Sequence, residues 1–406
     1  MQRRTQLKVR PISEGSRKVS RRELLRGSVL AGGALLLGFE KMAWARSIQK
    51  ATDDPFAKGR LLGTIAFTGE AKVPMDTALG SELDGRMYTD LSALSPENRV
   101  TPTEKFYIRT RASELLDTLK AWRVSVGGLA ARPFELGIEE LRKMAKPRGM
   151  HLMECAGNTR SVHFGMMSVA DWGGAPLSEL VESAKPKPAT TRVLISGFDT
   201  YATKSASSVP GASWIFTLEE LRTSQAFLAT EMNGSALTKD HGAPVRLVIP
   251  GWYGCACIKW VNEIAFTAET VAATSQMQEY AARTMQTGVP QFAREYKPAT
   301  VDAAAMPIRV EKWAVEEKIK YRVVGIVWGG SGAVKNLEIR FNPEEDYVPV
   351  ENLEQTAQNP WSFWTHAWTP QQAGTYMIRL RVKDPGAIAR RLDLGYYMRK
   401  VEITEI

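Results

Sequence analysis

The chain has 406 residues, of which 44% are hydrophobic and 24% are charged. These fractions exclude an intrinsically disordered chain, and the length is sufficient for at least two domains with ordinary cores. The formal net charge is +9, but residues 1–45 hold ten Lys/Arg and three acidic residues, so +7 belongs to them and +2 to the rest. Because the basic excess is confined to the N-terminus, we expect no nucleic-acid partner.

The N-terminal 45 residues have the order of an export signal. A twin-arginine pattern at residues 20–25 precedes an apolar run at residues 29–39, and small residues surround Trp44 at the end of the segment. The run is too short for a membrane span, which needs about 20 residues. We therefore predict a twin-arginine signal peptide over residues 1–45, cleavage near Ala45, and a periplasmic mature protein without a membrane span. The alternative is a basic tail before a buried helix.

Beyond the leader, the pattern predicts a mixed α+β domain over residues 46–300. Residues 63–101 are rich in turns and charges, which indicates an extended arm. Alternating residues or short apolar runs predict strands, and helical spacing predicts helices. The predicted strands are residues 105–109, 122–126, 193–197 and 245–249, and the predicted helices are residues 134–144 and 176–184.

The C-terminal hundred residues have a different character. Residues 298–307 are a predicted linker, and strand-like runs follow at residues 321–327, 337–341 and 376–382. Short strands separated by turn clusters predict an all-β, immunoglobulin-like sandwich over residues 301–406. Tryptophans at positions 361, 364 and 368 are expected in its core.

A single thiol lies within a turn-rich, cationic segment. Cys155 precedes Ala-Gly-Asn, which permits a tight turn, and Arg160 and His163 are close enough in sequence to favour a thiolate. A thiolate suits soft or redox metals, but one Cys cannot build a tetrahedral site, so a cofactor must supply most ligands. The alternative is that Cys155 is a small buried apolar residue.

Other cofactor classes lack their motifs in this sequence. Cys255 and Cys257 are too close together for an ordinary disulfide, and no Cys-x-x-Cys-His sequence for covalent haem occurs. The four histidines show no zinc or copper spacing, and no phosphate-binding glycine loop follows a strand. We therefore expect no haem in this chain.

Residues 151–160 resemble the cysteine loop of the sulfite oxidase family, in which one Cys thiolate binds molybdenum held by a pyranopterin dithiolene. Further matches follow in chain order after residue 60. The resemblance implies a sulfite oxidase-type molybdopterin-binding domain followed by an immunoglobulin-like dimerisation domain, and a molybdenum-molybdopterin cofactor. The positions that match cofactor-binding residues are Tyr107, Ile108, Arg109, Thr110, Arg111, Cys155, Asp199, His241, Arg246, Cys257, Ile258 and Lys259. Those that match catalytic residues are Arg109, Cys155, Arg160 and Tyr280, with Cys155 as the metal ligand.

These residue types suit the implied roles. Arg246 and Lys259 would bind the anionic cofactor phosphate, with His241 as a third donor if it is protonated. An arginine on an apolar strand indicates a buried anion, and the alternative for Arg246 is a structural salt bridge. Arg109 and Arg160 would attract an oxyanion substrate. A phenol at position 280 could donate a hydrogen bond or move protons, unless it is a surface aromatic.

The resemblance implies an oxidoreductase that acts on sulfite or a sulfane sulfur by oxo transfer. With no haem in the chain, an external c-type cytochrome or similar carrier is implied, and the C-terminal domain implies a homodimer. The segment after Arg160 is short, and Thr110 and Arg111 replace the Asn and His of animal sulfite oxidases, which predicts a wider pocket. The alternatives are a periplasmic methionine sulfoxide-type reductase on the same cofactor, and a non-catalytic exported binding protein.

Overall fold

The computed structural model describes residues 54–116, 121–354, 359–390, 392 and 397–406. Residues 61–406 form one compact unit, and the described residues 54–60 belong to a separate one. The predicted signal peptide lies outside the described residues. The predicted domain boundary near residue 300 stays a prediction.

Strands make up most of the regular structure. The described residues form the strands β1 (Arg60–Ile65), β2 (Phe67–Thr68), β3 (Arg86–Met87), β4 (Ile108–Arg109), β5 (Arg123–Gly128), β6 (Phe134–Gly137), β7 (Lys146–Glu154), β8 (Met167–Pro176), β9 (Arg192–Gly197), β10 (Ser213–Thr217), β11 (Phe227–Met232), β12 (Ser235–Ala236), β13 (Arg246–Val248), β14 (Val261–Thr267), β15 (Ala304–Val315), β16 (Lys318–Trp328), β17 (Leu337–Arg340), β18 (Val348–Pro349), β19 (Trp361–Trp368), β20 (Gly374–Val382) and β21 (Arg399–Ile403). The α-helices of the same residues are α1 (Ile138–Met144), α2 (Leu177–Ala184), α3 (Leu218–Thr223) and α4 (Ser275–Glu279). No helix among the described residues is long and apolar enough to cross a membrane.

Two sheets in the N-terminal two thirds support the site. One has the order β10-β9-β14-β5-β6, with a parallel β14–β5 pair, and the other runs β12-β11-β8-β7 with β13 paired to β11. Alternation of buried and partly exposed side chains is typical of these strands. In β9, Val193 and Ile195 are fully buried while their neighbours are less so. The strands predicted at residues 122–126, 193–197 and 245–249 are confirmed.

The antiparallel β7–β8 pair presents the cysteine segment. Strand β7 ends at Glu154, and the amide of Cys155 donates to the carbonyl of Met166 at 2.9 Å, just before β8 begins. The Asn158 amide then donates to the Cys155 carbonyl at 2.9 Å, which closes a tight turn. The turn predicted from Ala-Gly-Asn therefore forms directly after a sheet strand.

Two further sheets contain the C-terminal strands, with the orders β1-β15-β16-β19 and β18-β17-β20-β21-β2. Trp361 and Trp364 have 1% and 0% of their surface exposed, and Trp368 has 8%, so the predicted tryptophan core is confirmed. The immunoglobulin-like description of residues 301–406 stays a prediction.

Three local predictions differ from the structure. The predicted linker at residues 298–307 is wrong, because β15 begins at Ala304 and its first three residues are fully buried. Residues 134–137 form β6, and helix α1 begins only at Ile138, where the Glu140 side chain accepts from the Gly137 amide. The strand predicted at residues 105–109 is limited to Ile108–Arg109. The helix predicted at residues 176–184 is confirmed as α2.

Candidate cofactor and active site

One cavity collects most of the predicted site residues. It encloses about 820 Å³ of space between atoms, part of it open to solvent, and is bordered by β4, the end of β7, β13 and the segment before β14. The predicted residues that line it are Tyr107, Ile108, Arg109, Thr110, Cys155, Asp199, His241, Arg246, Cys257, Ile258, Lys259 and Tyr280. Arg111 and Arg160 lie outside this lining: Arg111 pairs with Asp240 at 3.0 Å, and Arg160 is exposed.

The thiol of Cys155 is buried, with 5% of the residue exposed, and accepts a hydrogen bond from the Gly157 amide at 3.4 Å. Burial raises the pKa of the Cys155 thiol, and the Gly157 amide, Arg109 and Arg283 oppose this rise without cancelling it. The expected thiolate-stabilising role of Arg160 and His163 is therefore wrong for the protein alone. His163 instead lies 3.6 Å from Glu70. A bound cation would have to stabilise the thiolate.

Arg246 is a buried cation with no carboxylate partner in the part of the chain that the structure describes. Only 4% of it is exposed, and its guanidinium donates to the carbonyls of His241 at 3.0 Å and Cys257 at 3.2 Å. Its Nε atom is buried without a hydrogen-bond partner, and no carboxylate of the described residues forms an ion pair with it. Burial lowers the pKa of the Arg246 guanidinium. The structural salt bridge considered from the sequence is not formed within the described residues.

Lys259 adds a second, half-buried positive group beside Arg246. Its ammonium donates to three backbone carbonyls, those of Thr110 at 2.6 Å, Asp240 at 3.0 Å and Arg109 at 3.3 Å. Burial, followed by the charge of Arg246, lowers the pKa of Lys259 well below its usual value. An anion between these groups would favour their charged forms, because opposite charge counteracts desolvation.

His241 does not provide a third cation. Burial lowers the pKa of His241 to about 4, so the ring is neutral near pH 7. Its Nε2 lies 3.0 Å from the Phe106 carbonyl and its Nδ1 lies 2.7 Å from the Thr238 hydroxyl. Since a carbonyl only accepts, we assign the proton to Nε2. Both ring nitrogens are used within the protein, so the condition for a third phosphate donor is not met.

Asp199 closes the base of a loop beside the cavity. Its carboxylate accepts from the amides of Gly211 and Ala212, the latter at 2.6 Å, and these bonds join the two ends of the segment 199–212. Burial raises the pKa of the Asp199 carboxyl. The residue lines the cavity, and its contact with a pterin stays a prediction.

Arg109 and Tyr280 lie on the same cavity. The Arg109 guanidinium donates to the Leu83 carbonyl at 3.0 Å and to the Ser208 hydroxyl. Tyr280 follows α4 directly and is 7% exposed, so the surface-aromatic alternative is wrong. Burial raises the pKa of the Tyr280 phenol, which keeps its proton at neutral pH.

Sequence reasoning missed Arg283. The centre of its guanidinium lies 5.4 Å from the Tyr280 ring centroid, a cation–π arrangement. A Cβ atom placed on Gly157 would be 3.4 Å from Arg283 Nη1 and 3.7 Å from Cys155 Sγ, so arginine and thiol share one neighbour. No motif identifies this residue, and the available signal was its position three residues after Tyr280, about one helical turn.

The residues of the cavity fit an anionic, metal-carrying pterin. The buried thiol offers one soft ligand, and Arg246 and Lys259, which form no ion pair among the described residues, offer donors to a phosphate. Glycine at position 242 makes room for them: its φ is 106°, and an added Cβ would come within 3.0 Å of Arg246 and 3.1 Å of Lys259. At Gly254 a Cβ would come within 2.5 Å of the Tyr107 hydroxyl, which lines the same cavity.

Comparisons with known proteins agree with a molybdopterin cofactor. The family described as "Oxidoreductase molybdopterin binding domain" matches residues 112–275. Sulfite oxidase of Arabidopsis thaliana is 30% identical over 200 residues, which are 45% of this chain and 51% of that protein. Mitochondrial sulfite oxidase of Rattus norvegicus is 25% identical over 333 residues, 75% of this chain and 58% of that protein.

These matches support a sulfite oxidase-type molybdopterin oxidoreductase. The solved sulfane dehydrogenase SoxCD from Paracoccus pantotrophus shares this fold with a TM-score of 0.61 and 19% identity, covering 81% of this chain and 88% of that one. The chain is also similar to the nitrate reductase [NADPH] of Beauveria bassiana, with 28% identity over 266 residues, which are 56% of this chain and 29% of that protein. The chain spans about half the length of the first two relatives, so the comparisons support the molybdopterin-binding fold and leave the substrate open.

Proposed function

We propose that this protein is a molybdenum-dependent oxidoreductase that oxidises sulfite or a sulfane sulfur by oxo transfer. The observation that carries the proposal is a buried thiol in the same cavity as the buried Arg246 and the half-buried Lys259, neither of which forms an ion pair with a carboxylate of the described residues. A cofactor with a thiolate-binding metal and a phosphate satisfies both features at once. A sulfite oxidase among the relatives and a sulfane dehydrogenase as the structural neighbour support a sulfur substrate.

The residues of the cavity then have distinct tasks. Arg246 and Lys259 bind the phosphate, and Cys155 binds the metal. When bound, the cofactor supplies two-electron oxidation of sulfur with transfer of an oxygen atom. The Arg109 guanidinium faces the cavity and attracts an oxyanion. Tyr280 remains protonated and donates a hydrogen bond.

Analysis of metal and pterin in the purified protein tests this proposal. We expect about one molybdenum per chain, because the cavity holds one Cys155 and one pair of phosphate donors. Cys155→Ser should abolish turnover while pterin remains bound. Cys255→Ser is the matched control, since Cys255 lines the same cavity without a proposed ligand role, and it should retain molybdenum. Full activity of the Cys155→Ser enzyme would contradict the assignment.

Assays with several substrates decide the reaction. Oxidation of sulfite or thiosulfate with a c-type cytochrome as acceptor is the expected activity. Reduction of methionine sulfoxide with a reduced dye, in the absence of sulfite oxidation, would favour the reductase alternative. Reduction of nitrate is also assayed, because a nitrate reductase is among the relatives. A protein that binds neither molybdenum nor pterin would favour a non-catalytic binding protein.

We further propose export by the twin-arginine pathway, a periplasmic location, and a homodimer formed through residues from about 306 onward. The leader pattern at residues 1–45 supports export, and family resemblance supports the dimer. N-terminal sequencing of the protein from a periplasmic fraction should begin just after Ala45. Sedimentation that shows only monomer at micromolar concentration would contradict the dimer.

A further inference from the structure

A buried ion pair lies directly behind the cysteine turn. Glu154 is the last residue of β7 and the residue before Cys155, and 1% of it is exposed. Its two carboxylate oxygens accept from the two terminal nitrogens of Arg390, at 2.9 and 2.6 Å. This bidentate geometry is the strongest form of an arginine–carboxylate pair. The two residues are 236 positions apart in the sequence.

The C-terminal region, residues 301–406, holds Arg390 in place together with Tyr253 of the preceding part of the chain. The Arg390 amide donates to the carbonyl of Ala303 at 2.9 Å, and its guanidinium lies 5.4 Å from the Tyr253 ring and 5.7 Å from the Trp328 ring. The Trp328 indole donates to the other partner of the pair, Glu154, at 2.8 Å. Burial by itself would lower the pKa of Arg390, but the carboxylate of Glu154 outweighs it and the net shift is upward. The Arg390 guanidinium is therefore charged, and it is paired with the Glu154 carboxylate.

The same carboxylate also braces the turn that carries the thiol. The Asn158 side chain approaches Glu154 at 3.4 Å through its amide nitrogen and accepts from the Met166 amide at 3.1 Å through its oxygen. Cys155 lies inside this ring of contacts. Any displacement of the Glu154 side chain would therefore be transmitted to the backbone on both sides of Cys155.

The pair also affects the thiol electrostatically. A negative group on the residue next to Cys155 disfavours negative charge on the sulfur and on a metal bound to it. The guanidinium of Arg390 compensates the carboxylate at hydrogen-bond distance, so the pair presents little net charge to the thiol. Few water molecules can screen the pair, since Glu154 and Arg390 side chains are 2% and 14% exposed.

We propose that Glu154 and Arg390 are positioning residues that fix the Cys155 turn and balance the charge beside its metal, so that the C-terminal region sets the reduction potential of the centre. This inference rests on the proposed function, because it requires molybdenum on Cys155. Neither residue touches the substrate cavity, and both act through the cysteine turn.

Opposite single substitutions separate this role from a purely structural one. Arg390→Met leaves the carboxylate uncompensated, which opposes reduction and lowers the potential of the metal. Glu154→Gln leaves the guanidinium uncompensated, which favours reduction and raises the potential. The double variant Glu154→Gln/Arg390→Met has neither charge and returns towards the wild-type potential. If the pair only held the structure together, the shift in reduction potential would not have opposite signs in the two single variants.

The experiment is a redox titration of the holoenzyme, following the Mo(V) signal by electron paramagnetic resonance, together with the molybdenum content of each protein. Arg390→Lys retains the charge and should titrate near the wild type. Glu311→Gln is the matched control: Glu311 is 6% exposed and accepts from Arg309 and Arg322 at 2.8 Å and from the Trp313 indole at 3.0 Å. It lies outside the cavity lining and should leave the potential unchanged.

The outcomes are distinguishable. Shifts of opposite sign in the two single variants, with recovery in the double variant, support the inference. Unchanged potentials, or shifts of one sign, in variants with normal molybdenum content overturn it and leave the proposed function intact. If a single variant does not fold, the double variant and Arg390→Lys still test the charge balance. A large shift in the reduction potential of either protein overturns the inference. A wild-type protein without molybdenum overturns the proposed function itself.

Discussion

Two buried arginines in this protein have opposite surroundings. Arg390 faces the carboxylate of Glu154 with two hydrogen bonds, and its pKa is raised overall despite its burial. The hydrogen bonds of Arg246 go only to carbonyl oxygens and a methionine sulfur within the described residues, and burial lowers its pKa. Both guanidiniums have lost most of their water, but only one has gained an anion.

The difference shows how a ligand site can be distinguished from a structural ion pair. A buried charge without a partner costs several kcal/mol, roughly 3–5 when the partner of a pair is removed. A fold that retains such a charge at Arg246 therefore needs an anion from outside the chain. The Arg390 pair is already compensated and has no such need. Charge compensation, more than burial, marks the phosphate site.

The largest effect is expected at Arg246. Arg246→Ala leaves the cofactor phosphate without its main donor, at a cost of roughly 2–5 kcal/mol, so the variant should purify with little pterin. Pterin is measured by fluorescence after oxidation. The control is Arg99→Met, because Arg99 pairs with Glu354 at 2.7 Å, and its loss should leave the pterin content unchanged. Full cofactor with weakened substrate binding in Arg246→Ala would make Arg246 a substrate residue and remove the contrast with Arg390.

The comparison extends to Arg109, a cavity arginine whose guanidinium bonds a carbonyl and a hydroxyl. Arg109→Met should raise KM for an anionic substrate about tenfold or more, because a charge-assisted hydrogen bond contributes roughly 1.5–3 kcal/mol. KM for a neutral sulfoxide should change little. Arg123→Met, which alters an exposed pair with Glu135, is the control. Unchanged sulfite kinetics together with impaired sulfoxide reduction would favour the reductase alternative.

A smaller effect is expected at Tyr280, which carries no charge. Tyr280→Phe retains the ring and removes one hydrogen bond of about 1 kcal/mol, so kcat should fall about fivefold. Because burial raises the pKa of Tyr280, the phenol stays protonated through mildly alkaline pH. We therefore expect no decline in wild-type kcat near pH 10 that is absent in Tyr280→Phe. Such a decline in steady-state pH profiles would show that the phenol ionises in the active site.

The last effect concerns the stability of the fold at acidic pH and leaves the chemistry of the site aside. His241 has a pKa of about 4 when folded and roughly 6.5 when unfolded, so the unfolded chain binds more protons between these values. Stability is then fully present above pH 6.5 and falls by about 3 kcal/mol as the pH decreases to 4. Urea unfolding at pH 4.5 and 7 should show a smaller acid loss in His241→Gln. Equal losses in the two proteins would mean that His241 is charged in the fold.

Much of this site could be predicted from the sequence because its signals are local. The turn at Cys155 follows from Ala-Gly-Asn, and the strand that carries Arg246 follows from a short apolar run between two prolines. The order of motifs along the chain predicted the family, and the predicted tryptophan core is buried. The failed linker at residues 298–307 shows the limit of composition, since an alanine-rich segment is equally suited to a buried strand.

The sequence by itself determined the family, the single-thiol turn and most of the residues that line the cavity. Only the tertiary structure decided which charges are compensated. Glu154 meets Arg390 across 236 positions, Arg283 comes beside the thiol, and Arg160 stays outside the cavity lining. The physical reason is that backbone propensities act over a few residues, whereas the electrostatic state of a buried group depends on every chain segment packed around it.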